Sequence, residues 1–321
     1  MKVAPLQESD FAAYGALAEE CGTVFNSTKW LSLFGESVEP VGIYSNSHTL
    51  IGGFHLYTKR QFGLTVCRNA PFTPHCGPFL KVTAKNPVAI MDTWKKALKL
   101  MAKYIHDKRL PVVSVALDKK IVDMQPFIWE HHRVTPQYTY TIDLDLPIEA
   151  ILRNMSPDRR NDIKKGERTG LNVRMIDRYD AVKTMVCQSF SRQNRSVDTI
   201  HLDAVLSRFA ETGNSFAFLA GIDDVPIAAS FCVHDRETAF YLLGGYAQHG
   251  KHRSAGPLAC WEAIKHAKRL GLKTFDFEGS MVPDIEHYFR GFGGRLVPYY
   301  RVTKAMLPIE MVLKLFKRGL F

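Results

Sequence analysis

Thr238-Ala-Phe-Tyr-Leu-Leu-Gly-Gly245 is a run of β-forming residues that closes on two glycines, where backbone can bend or let a ligand come close. Before it, Ser215 to Ile222 and Val225 to Val233 are apolar strands around Asp223-Asp224, the pattern of a β-hairpin, and Asp235-Arg236-Glu237 makes the next turn. After it, a polar loop from Tyr246 to Ala255 leads to Gly256-Pro257, which opens a helix. Its apolar positions Leu258, Trp261, Ile264, Ala267 and Leu270 recur at three- and four-residue spacing, and Gly271 stops it. Lys273 to Phe277 reads as a short strand. A helix near Asp284 to Arg290 begun by Pro283, the turn Gly291 to Gly294 and a strand from Arg295 to about Val302 complete this half.

The first half repeats that order without repeating the sequence. Strands are expected near Val41 to Tyr44, Thr49 to Tyr57 and Phe62 to Arg68, then a loop, a long helix from about Pro87 to His106 with Ile90, Trp94, Ala97, Leu98 and Met101 on one face, and the strand Val112 to Leu117. Two copies of a β-β-β-loop-α-β unit follow. The boundary is placed around Asp143 to Pro147, which gives a first domain over 1–145, a second over 146–303 and a tail over 304–321.

The chain has 321 residues, a formal net charge of +10 and 46% hydrophobic residues, enough for two packed cores and far from the compositions of collagen or disordered chains. The first residues turn polar too soon for a signal peptide, and no apolar run approaches the roughly 18 residues that cross a bilayer. Six cysteines stand singly, so reduced thiols in a cytoplasm are expected and no metal cluster is. The positive balance favours anionic partners: a phosphorylated cofactor, nucleic acid or a lipid surface.

The order of elements, with a third strand ending in glycines and a helix opening on one, resembles the GNAT acyltransferase fold. Further segments are similar to its tandem, FemAB-like branch, which includes the peptidoglycan aminoacyl transferases: Val24 to Leu31, Phe72 to Pro78, Arg159 to Arg168, Tyr241 to Gly245, Phe275 to Ser280 and Tyr288 to Gly293. The resemblance implies an α/β (α+β) chain of two GNAT-like domains, each a mixed, mostly antiparallel sheet flanked by helices. It also implies that residues 304–321 return to the first domain. The helical arm that some members insert has no counterpart.

The loop Gly244 to Gly256 is the first chemical candidate. Its backbone N–H groups, with Lys251, His252, Arg253 and Ser254, stand before a helix N-terminus, a combination that can cradle phosphate. The GNAT pattern Arg-x-x-Gly-x-Gly/Ala is met at Arg253 and Gly256, while Leu258 stands where a small residue is expected. The cofactor-binding set is therefore Gly244, Gly245, Lys251, Arg253, Ser254 and Gly256; the alternative is a solvated, capped connection. The corresponding first-half loop, Ala70 to Pro78, has three prolines and so lacks donors; it either helps to wall an acceptor site or is a rigid packed loop.

Tyr288, three residues before Gly291-Phe292, resembles the GNAT tyrosine that faces the leaving thiolate. A phenol with a pKa of about 10 suits a general acid. Asp276 and Glu278 flank Phe277, so strand alternation sends both carboxylates to one face, as a proton acceptor for an ammonium or as an ion pair or cap. Ser280 is placed to donate to an acyl oxygen or to cap. Arg160, Lys164 and Arg168 recur every four residues on a helix started by Ser156-Pro157; that face, extended by Arg192 and Arg195, is either solvated or a docking surface for a phosphate-bearing substrate. The C-terminal stripe Met306, Leu307, Met311, Leu315 and Phe316, alternating with lysines and Arg318, packs on the first domain or grazes a membrane. His131-His132 is read as surface.

Together these readings describe an acyltransferase with Tyr288, Glu278 and Asp276 in its chemistry and no tightly bound cofactor or metal. Its donor is acyl-CoA or aminoacyl-tRNA; its acceptor is an amine-bearing small molecule or peptidoglycan precursor. Contacts with tRNA and with the inner face of a membrane are candidate interactions. The non-catalytic alternative is a polyanion- or membrane-binding module on the same fold.

Overall fold

The computed structural model describes residues 1–223, 225–248, 252–279 and 281–316. Its strands are β1 (Lys2–Pro5), β2 (Val38–Tyr44), β3 (Leu50–Gln61), β4 (Leu64–Arg68), β5 (Phe79–Leu80), β6 (Val112–Ala116), β7 (Arg133–Asp143), β8 (Asn172–Ile176), β9 (Ser215–Ile222), β10 (Val225–His234), β11 (Thr238–Tyr246), β12 (Thr274–Asp276) and β13 (Arg295–Ala305). The chain divides into two compact units, Met1–Gln137 with Pro298–Phe321, and Tyr138–Val297. Both divisions fall inside long strands, β7 and β13, rather than at the Asp143–Pro147 turn, where Pro147 stands just ahead of the short Ile148–Asn154 helix.

In the first unit the strands run β1-β2-β3-β4-β6-β13, with β5 on β3, all antiparallel except β4 beside β6. The Pro87–Asp107 helix, capped by the Asn86 side chain, lays Ala97, Leu98, Met101, Ala102 and Ile105 against Val41, Ile43, Phe54, Leu56 and Val115. Beyond the end of β4 the sheet is sealed. Asn69 exchanges hydrogen bonds with both backbone groups of Ala116, and Cys76 N donates to the same carbonyl at 3.0 Å.

The proline-rich loop that follows is packed, not open. His75 Nε2 lies 3.3 Å from Asp118 Oδ2, its Nδ1 accepts from Gly77 N, and Trp30 donates to Thr73. His132 is also buried, edge-on to Phe127 and hydrogen-bonded to its carbonyl. The surface reading of that residue is therefore corrected: a histidine beside a charged neighbour in sequence still turns inward when a ring face is waiting for it.

In the second unit the order is β7-β12-β11-β10-β9-β8, antiparallel except for β11 beside β12. The Ala255–Arg269 helix covers this sheet with Leu258, Trp261, Ile264 and Ala267, as its spacing predicts, and Gly271 ends it at φ 77°. The parallel pair lasts only three residues, Thr238 to Phe240 against Thr274 to Asp276. From Tyr241 onward β11 keeps β10 on one edge and leaves β12 on the other.

The C-terminal helix, Leu307–Phe316, presents Leu307, Met311 and Leu315 to solvent. The segment groups with the first unit, Met306 N donating to Pro111 O, and the half-buried side of the helix there is Ile309 and Leu313 rather than the stripe. Residues 317–321 lie outside the described residues. Among the described residues no helix is long and apolar enough to cross a membrane.

Candidate active site

Where β11 leaves β12, the second unit holds a cavity of about 840 Å³. Tyr246 and Ala247 enter it from the end of β11, His252, Arg253 and Pro257 from the start of the Ala255–Arg269 helix, and Asp158, Arg159 and Asp162 from the Pro157–Arg168 helix. The Pro283–Arg290 helix adds Asp284, His287, Tyr288 and Arg290, and Arg192 reaches in from the Asp180–Arg192 helix.

The Pro157–Arg168 helix is set by Ser156, whose hydroxyl accepts from Arg159 N, and by the proline at its first position. Arg159, Ile163 and Gly166 form its buried side. Arg159 is stacked 4.4 Å from the Tyr288 ring centre and 4.7 Å from that of Phe292, donates to Tyr288 O at 3.2 Å and pairs with Asp162 at 3.5 Å. Asp162 also holds Arg253 at 3.2 Å. Sequence reading chose Arg160 instead, whose guanidinium caps the preceding helix through the carbonyls of Arg153 and Met155. The overlooked signal was periodicity: Arg159 stands four residues before Ile163, the apolar residue that marks the inward face.

Three phenols converge here. Burial pushes Tyr241 and Tyr288 well above the usual phenol range and raises Tyr246, while the nearby Arg159 charge opposes the rise in all three. A raised Tyr288 stays protonated at neutral pH, as a proton donor must.

Tyr246 also changes the reading of the expected phosphate cradle, because its phenol packs directly on Gly256, where an added Cβ would come within 2.0 Å of the hydroxyl. Ala255 N is used by His252 O, and Pro257 has no N–H. In the first turn of the Ala255–Arg269 helix, Gly256 therefore carries the amide left for a ligand, and the Tyr246 phenol stands against it. The glycines serve close packing: a side chain at Gly245 would come within 2.6 Å of Met185 backbone, and one at Gly244 or Gly256 would collide with the hydroxyl of Tyr241 or Tyr246. Gly244 and Gly245 do not line the cavity, whereas Arg253 does. Ser254 is buried, its hydroxyl without a partner among the described residues. Lys251 and Ser280 lie outside the described residues.

Asp276 and Glu278 are separated from the cavity and from each other's face. β12 ends at Asp276, and Glu278 turns to φ 61°, which breaks the alternation. Asp276 is buried and accepts from Thr139 Oγ1 at 2.6 Å and Glu278 N at 2.9 Å, the work of a turn cap. The carboxylates that do share the cavity with Tyr288 are Asp158, Asp162 and Asp284. Asp284 precedes Tyr288 by four residues, on the same helix face. That spacing was legible and was missed. Arg192 lines the cavity but uses its guanidinium on Tyr246 O, Ala247 O and Ser189, while Lys164 and Arg195 are exposed and outside it.

The second unit thus has a mixed sheet whose central strands part over a covering helix, with the half-buried Tyr288 on the cavity wall. Residues 156–290 match the acetyltransferase (GNAT) domain family. Among solved structures, FemX is similar over 98% of this chain and 99% of its own at 13% identity, TM-score 0.68. The C-terminal domain of a putative lysylphosphatidylglycerol synthetase from Agrobacterium fabrum is similar over 95% of each at 10% identity, TM-score 0.60. L-PGS from Bacillus licheniformis is similar over 98% of each at 12% identity, TM-score 0.58. These likenesses carry the fold across nearly the whole chain. No curated protein sequence matches it.

Proposed function

We propose that the protein is an N-acyltransferase that moves an aminoacyl group from an ester donor of the aminoacyl-tRNA type onto an amine in the Tyr288 cavity. The observation that carries this reading is the placement of Asp284 and Tyr288 on one helix face, opening into one cavity within the GNAT-matching segment. Asp284 takes the proton from the acceptor ammonium. The freed amine attacks the ester carbonyl, a C–N bond forms and the C–O bond breaks, and Tyr288 gives its proton to the departing oxygen. Arg159 holds Tyr288 in place. A peptidoglycan precursor is an acceptor of the right chemistry, and the FemX and lysylphosphatidylglycerol synthetase likenesses support an aminoacyl group.

The packing of Tyr246 on Gly256 is why the donor is read as an ester rather than acyl-CoA: a CoA diphosphate would have to displace the Tyr246 ring to reach the Gly256 amide. Thermal melting of the whole chain tests this. A stable 3′-aminoacylamido-adenosine raises Tm and CoA does not; the reverse order would assign the donor to CoA.

A further inference from the structure

We propose that the Leu307–Phe316 helix is a docking surface for an anionic lipid bilayer. Leu307, Met311 and Leu315 repeat every four residues and are 74%, 65% and 71% exposed, with Val312 and Met306 beside them. Ordinary surfaces scatter large apolar side chains singly; a contiguous stripe marks a contact. The helix is held at its root, since Met306 N donates to Pro111 O and the opposite residues Ile309 and Leu313 are half-buried. It therefore lies along the unit with its apolar stripe facing out.

Charge selects the occupant. From Met306 to Phe321 the sequence carries Lys314, Lys317 and Arg318 against Glu310 alone. Lys314 pairs with Glu310 along one flank of the stripe, and the exposed Arg109 stands in the loop that anchors Met306. An apolar stripe with Lys314 and Arg109 near it, in a sequence that continues with Lys317 and Arg318, matches the boundary between acyl chains and anionic headgroups. A second copy of the chain fits less well. The helix is about 15 Å long and about 10 Å wide, a small fraction of the roughly 800 Å² per partner that a stable interface buries.

The test is co-sedimentation of the full chain with vesicles of phosphatidylcholine, with and without phosphatidylglycerol. The wild type sediments with the anionic vesicles, more weakly in high salt, and Leu307→Asp/Met311→Asp lowers the partition coefficient about tenfold or more. Leu315→Glu, at another exposed site, repeats the loss, and unchanged melting of both variants shows that the fold is intact. Three results would overturn the proposal: no sedimentation with anionic vesicles at low salt, equal sedimentation of wild type and both variants, or a wild-type dimer that Leu307→Asp dissolves.

Discussion

The Arg159 guanidinium lies over the Tyr288 ring and one of its nitrogens donates to the Tyr288 carbonyl, so a single buried cation holds both the side chain and the backbone of the proposed acid. Asp162 balances that charge and ties Arg253 to it. Replacing the cation with an apolar chain of similar length removes the ring stacking, the carbonyl bond and the pair together. Arg159→Met is expected to lower unfolding free energy by about 2–4 kcal/mol in denaturant titrations. Arg159→Lys, which keeps charge but not the planar fork, falls between it and wild type.

Asp284 and Asp276 should separate chemistry from stability. Asp284→Asn is expected to leave Tm nearly unchanged and to reduce transfer about 10²-fold or more, since general-base assistance is worth about 10²–10⁴. Asp276→Asn weakens the acceptor for Thr139 and Glu278 N, so it costs about 1–3 kcal/mol of stability and leaves per-molecule turnover largely intact. Melting and initial-rate measurements on the two variants check both.

Gly244 tests whether the end of β11 is shaped by Tyr241. A Cβ there collides with the Tyr241 hydroxyl, while the next ring atom, Cζ, is 3.0 Å away. Gly244→Ala alone should destabilise by about 1–3 kcal/mol, and most of that loss should vanish in a Tyr241→Phe background. Equal losses in both backgrounds would show that the hydroxyl is not the obstacle.

Two histidines of the first unit make stability depend on pH. Burial pushes His55 down to about 3 and His132 to about 4, against about 6.5 unfolded. The unfolded chain therefore binds more protons below pH 6.5, and stability falls with pH from there to about 4 for His132 and about 3 for His55. The slope is about 1.4 kcal/mol per pH unit for each. Denaturant midpoints between pH 4.5 and 7 should show it, and His55→Leu should flatten the slope by about half.

The order of elements from Ser215 to Val302 was readable because each strand is bounded by turn residues and each helix keeps its 3.6-residue spacing. Other features depend on contacts remote in sequence. Gly256 reads as a cradle in sequence, whereas in the fold Tyr246, ten residues earlier, packs its phenol against it. Asp276 and Glu278 read as partners because alternation assumes a strand, and the strand stops between them. Arg159 was hidden by its charge, although its spacing from Ile163 pointed inward. Short elements such as β1, β8 and the Gln125–Trp129 helix carry too few residues for a period to show.

The most direct test is a single-turnover assay in which the purified chain is mixed with a labelled aminoacyl-tRNA and an amine panel that includes a peptidoglycan precursor. The account predicts label on an amine, with the rate reduced about 10²–10⁴-fold by Tyr288→Phe at unchanged Tm. Transfer at the wild-type rate by Tyr288→Phe, or no transfer to any amine from a folded wild-type chain, would contradict it.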